Sequence, residues 1–119
     1  METTEILKIF LPLEIVDNFD LVRVNDHDNS KGKEMHLFLD EKFQYPDGYS
    51  SESLESKGFL EPVNICDFPI QNKKVKLRLR KRRWVDKNNH KYISNSYDFK
   101  HKGTSYSKEL ASFLKEGVR

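Results

Sequence analysis

The sequence predicts an α+β fold, an antiparallel sheet of about five strands with helices at the N- and C-terminal ends. Three observations carry this expectation. Apolar residues recur at helical spacing near both termini, the middle of the chain alternates apolar and polar residues, and turn-forming residues separate these stretches. The 119 residues fit a single domain, 1–119, long enough to bury a core without disulfides or metal. Eight Phe, five Tyr and one Trp argue for a packed body despite 34% charged residues.

The elements follow in order. Thr3 or Thr4 caps a first helix, with Glu5 near its positive end and Ile6, Leu7, Ile9 and Phe10 on its apolar face. Pro12 stops that helix or starts a further turn through Val16. Phe19–Val24 and Met35–Leu39 read as a hairpin, completing a first region, 1–40. Pro46, Gly48, Gly58 and Pro62 mark 41–62 as a long loop with little regular structure, unusual in so small a domain. In the basic region 63–103, Val63–Phe68 is a strand that Pro69 ends. Lys74–Val85 is the longest strand signal, and Lys91–Ser94 returns from an Asp86–His90 turn whose Asn-Asn pair suits positive φ. Thr104 or Ser105 caps a last helix, 104–116, with Leu110, Ala111, Phe113 and Leu114 on its apolar face.

The net charge of +2 hides an asymmetry. Residues 1–62 carry 14 acidic and 6 basic residues, and 63–119 carry 5 and 15. Such a split suggests a polyanion-facing part beside an acidic one, or two halves that fold together and offset each other. The single cysteine, Cys66, makes no internal disulfide and fits a reducing cytoplasm. No apolar run approaches the ~20 residues of a membrane span, and the acidic start is unlike a secretory signal, so a cytoplasmic protein with no membrane partner is expected.

The chemistry concentrates in residues 73–87, with nine Lys or Arg and one acid, Asp86. From Lys74 to Arg80, basic and apolar residues alternate strictly. A strand would turn Val75, Leu77 and Leu79 to the core and set Lys74, Lys76, Arg78 and Arg80 in an outward row, about 7 Å apart. That pitch resembles successive phosphates on one DNA strand. Lys81, Arg82 and Arg83 break the alternation, and Lys87 and Lys91 extend the patch around the turn. Arg82 and Arg83 suit phosphates or base edges. A lysine-rich edge strand guarding against aggregation would show a similar pattern. Trp84 and Tyr92 beside the arginines could stack on bases, although core packing is the better reading of Trp84. The four histidines fall in no nucleophile or metal motif, and Cys66, His90 and His101 lack ligand spacing, so neither catalysis nor a cofactor or metal is expected.

The run Asp67-Phe68-Pro69-Ile70, a short turn, then Lys74 to Arg83 and Trp84, resembles the N-terminal zinc-ribbon segment of DDE transposases of insertion sequences. The likeness is to the ISL-type group and especially to the ISAon-type N-terminal region, with its D-L/F-P motif, basic alternating strand and R-R-aromatic ending. It extends in form to Leu54–Phe59 and Lys102–Thr104. In zinc-bearing relatives a C-x-x-C knuckle follows the aromatic after one residue. Here Asp86 and Asn89 hold those positions, and 41–62 lacks the second thiolate pair. The ribbon is degenerate, since Asp and Asn do not replace a tetrathiolate site. The resemblance implies a non-catalytic region that binds the element's terminal repeats. The DDE catalytic part would lie elsewhere on the transposase, making this chain a separate first frame or a truncated copy. A protein-interaction or dimerisation module with an acidic and a basic face is the alternative, its partner a second copy or the catalytic part.

Overall fold

A computed structural model describes residues 11–29, 32–70, 73–97 and 107–115. The fold is α+β, with a helix near each end of the described chain and seven strands between them in two sheets. The predicted helix over Ile6–Phe10 lies outside the described residues, and α1 is the short helix Leu13–Asn18 that Pro12 starts. The Pro12 carbonyl accepts from the amides of Ile15 and Val16, and Asn18 Nδ2 donates back to the Glu14 carbonyl at 2.8 Å.

Strands β1 (Phe19–Asn29) and β2 (Gly32–Glu41) form the expected hairpin, longer at both ends than its apolar pattern suggests. A bulge falls between Leu21 and Arg23. The extra residue, Val22, reverses the strand's parity, so that Phe19, Leu21 and Val24 all turn to the core and Arg23 turns outward beside Phe38. Strand β2 then pairs in parallel with β5 (Lys73–Arg80), which pairs antiparallel with β4 (Val63–Ile70), giving a mixed sheet of order β1-β2-β5-β4. A second bulge between Ile65 and Phe68 keeps both of those side chains buried. Pro69 does not end β4, because a strand at the sheet edge has one side with no ladder to break.

The region expected to be a loop, 41–62, contains β3 (Leu54–Phe59). It pairs antiparallel with β6 (Arg82–Asp86), which also pairs with β7 (Tyr92–Ile93). Gly58, at φ +76°, sits in a bulge of β3 rather than in a turn. The stretch predicted as one strand, Lys74–Val85, is thus two strands in two sheets with Lys81 at the joint.

One face of the four-stranded sheet builds the core. Leu37, Leu39, Ile65, Val75, Leu77 and Leu79 pack under Ile15 of α1 and under Leu110, Phe113 and Leu114 of α2 (Ser107–Lys115), whose i, i+3, i+4 spacing places them on one stripe. The helix start predicted at Thr104 or Ser105 lies outside the described residues. A smaller apolar centre forms around Trp84, fully buried, with Phe43 and Tyr45 packed on it.

The joint is polar. Lys81 is 3% exposed and points inward, where its ammonium donates to the Leu114 carbonyl at 2.9 Å, near the end of α2, beside the rings of Tyr97 and Phe113. Glu41, also buried, accepts from the Arg82 amide at 2.8 Å and from the Tyr97 hydroxyl. The sheet switch thus closes on two ionic residues with satisfied partners. A hydrogen bond to a charged donor contributes about 1.5–3 kcal/mol. Lys81→Ala is therefore expected to destabilise the fold by at least that order, read as a lowered midpoint in urea unfolding.

Candidate nucleic-acid interface

The alternation of β5 does not break at Lys81. Residues 75, 77 and 79 are buried, Lys81 continues inward, and the even positions Lys76, Arg78, Arg80 and Arg82 keep to the other side. Of the three basic residues in succession only Lys81 is buried, while Arg82 and Arg83 fall on opposite faces of β6 and are both partly exposed. Side-chain ring contacts confirm the parity. Phe59 lies under the guanidinium groups of both Arg80 and Arg82, at 4.2 and 4.7 Å from its centroid.

The row is interleaved with phenylalanines. Phe38 on β2 lies between its register partners Arg23 on β1 and Arg78 on β5, with guanidinium carbons at 5.6 and 5.4 Å. Arg82 lies over Phe43 at 5.1 Å as well as over Phe59. A guanidinium held against a ring loses side-chain freedom before any ligand arrives, while its N–H edges remain able to bind. Val22, Arg23, Phe38, Asp40, Arg78 and Arg80 line an open depression of 240 Å³ on this side of the sheet.

The expected contacts divide as follows. Arg78 is exposed and Lys76 half-buried, and among the described residues neither has a carboxylate partner. Arg80, expected to reach phosphate unopposed, makes a two-pronged ion pair with Asp40, 2.7 Å from Nε to Oδ1 and 2.6 Å from Nη2 to Oδ2, so its charge is offset. Arg82 also donates from Nε to the Glu41 carbonyl at 3.0 Å. Lys81, expected at the interface, is buried because it holds α2, and it leaves the set. Arg83 faces the opposite side, donating to the Lys57 carbonyl and lying over Tyr92. Lys87 and Lys91 are exposed at the β6–β7 turn, where Lys87 Nζ donates to the Ser51 carbonyl at 3.0 Å. The Lys74 side chain lies outside the described residues. Arg23, Phe38, Phe43 and Phe59 enter the site without having been singled out. The only sequence signal for Arg23 is the slip of apolar parity across Leu21-Val22-Arg23-Val24, which a bulge produces.

At the positions matching a zinc knuckle, both side chains close a turn. Asp86 Oδ1 accepts from the Asn88 amide at 2.8 Å, and Asn89 Oδ1 from the Lys91 amide at 2.9 Å. Positive φ falls on His90, at +60°, rather than on the Asn-Asn pair. Among the described residues no three His, Cys, Asp or Glu side chains gather as metal ligands, and His101 lies outside them. No described helix is long and apolar enough to cross a membrane. Compared with family models, curated proteins and solved structures, the chain finds no match.

Behind the row, burial raises the Glu41 pKa above its ordinary 4.5, and this outweighs the lowering by Tyr97, the Arg82 amide and the Lys81 charge. Burial and the Glu41 hydrogen bond also raise the Tyr97 hydroxyl, which stays a neutral donor. An acid with a raised folded pKa contributes fully below its unfolded value, and that contribution is lost as pH rises through the folded value. Thermal unfolding across the weakly acidic range should therefore show a downward contribution with rising pH, and Glu41→Gln should flatten it.

Proposed function

We propose that the chain is a non-catalytic DNA-binding module, the N-terminal region of an ISAon-type insertion-sequence transposase, which grips element-end DNA through the outer side of β5 and β6. The observation that carries the binding reading is the row Lys76, Arg78, Arg80 and Arg82, with Arg23 beside it and phenylalanine rings interleaved. Side chains two apart on a strand repeat every ~7 Å, close to the phosphate pitch of one DNA strand. The transposase assignment rests on the resemblance of Asp67–Trp84 to that family, and the reading gives this chain no catalytic step.

The two strongest phosphate contacts in this reading are Arg23 and Arg78, which flank the depression and are not ion-paired among the described residues. Arg80 contributes less, since Asp40 already occupies its fork. Arg82 binds at the junction of the sheets. The charge split along the sequence supports polyanion binding less than its size suggests, because Asp40 and Glu41 of the acidic half are spent on the basic half within the fold.

The double variant Arg23→Gln/Arg78→Gln tests the reading. Each phosphate contact contributes about 0.9 to the slope of log K against log salt. Fluorescence anisotropy with duplex DNA is expected to give weaker binding and a salt slope reduced by about 2. An unchanged affinity and slope would remove this face from the interface.

A further inference from the structure

Phe43 ends the arginine row in an unusual way. It is 58% exposed, a large apolar ring left in solvent in the segment after β2. Its position is nevertheless fixed. Its ring meets Trp84 at 5.1 Å and 70°, and Tyr45 at 5.6 Å and 86°. Trp84 is wholly buried, so the support behind Phe43 belongs to the second apolar centre of the fold. Both neighbouring rings meet it steeply, so neither occupies a parallel stacking position on it. The Arg82 guanidinium lies over it at 5.1 Å, and Arg82 is the last cation of the row.

We infer that Phe43 is a stacking site for an unpaired DNA base, on a strand whose backbone follows Arg78, Arg80 and Arg82. This rests on the DNA-binding reading and adds to it a preference for ends that carry single-stranded nucleotides. The chemistry favours this occupant. A rigid exposed ring with a cation over one face offers the other to any base, because every base has a π-face, while the neighbouring arginines attract the phosphates on either side. A base paired within a duplex presents no free face, and the terminal pair of a blunt end presents one only along the helix axis, away from a row that follows the backbone, so an unpaired nucleotide is the base that reaches the ring. Tyr92, an exposed aromatic of the second sheet, pairs with Val85 and lies with Arg83 on the opposite side, off the line of the row.

The experiment compares three DNAs by anisotropy with the full chain: a blunt duplex and the same duplex with a short 3′ or 5′ single-stranded extension. Wild type is expected to bind one extended form roughly tenfold more tightly than the blunt one, in line with base–aromatic stacking. Phe43→Ala and Phe43→Leu are expected to bring that ratio close to one. Leucine keeps apolar cover over Trp84 while removing the π-face, and the emission of Trp84, the sole tryptophan, reports whether the support stays buried. Equal binding of blunt and extended DNA by wild type would overturn the stacking site while leaving the DNA reading intact. So would a preference that survives both substitutions in folded protein. Binding to none of the three would overturn both.

Discussion

The structure depends on one side chain pointing inward. The strand that begins at Lys73 runs through two sheets to Asp86, and it leaves the first for the second at Lys81. A lysine in that position must be buried for the alternation to continue, and burying an ammonium is costly unless it is fully partnered. The carbonyl near the end of α2, two aromatic rings and the Glu41 carboxylate nearby supply that partnership. Because Lys81 turns in, Arg82 turns out and falls into line with Arg80 and Arg78. The same contact that docks the C-terminal helix therefore extends the cationic row across the sheet boundary.

The arginine–phenylalanine pairs are better understood as positioning than as stability. At exposed sites a cation–π contact is worth about 0.5–1 kcal/mol and an exposed ion pair about 0–1 kcal/mol. Neither decides whether the fold forms, which rests on the apolar face under the two helices. What the rings do is hold guanidinium groups in place across three strands and two sheets, which lowers the ordering cost of a later contact. Asp40 plays the opposite part at Arg80, occupying with its carboxylate the fork a phosphate would take.

Much of the fold was legible where side chains alternate against a core. Val75, Leu77 and Leu79, the β1–β2 hairpin and the apolar stripe of α2 all follow from periodicity, and Trp84 is buried as its size suggests. β3 was not legible, because an edge strand reading Leu-Glu-Ser-Lys-Gly-Phe is mostly exposed and leaves no apolar period, and its glycine mimics a turn. Nor was the parallel pairing of β2 with β5, since register between distant strands is set by tertiary packing. The site was half legible. The density of cations located β5 and β6, but Arg23 reached the face through a bulge, Phe38, Phe43 and Phe59 came from three other segments, and Lys81 looked like its neighbours until the joint showed which way it turned.

The β6–β7 turn carries a further consequence. It is latched by an aspartate and an asparagine reaching back to main-chain amides, with no thiolate taking part. A latch of that kind needs no ion to be loaded and holds nothing that an oxidant can strip. Chelators and peroxide, which unmake a cysteine clasp, act on nothing in these two hydrogen bonds, so the latch rests on main-chain geometry instead of zinc supply or redox state.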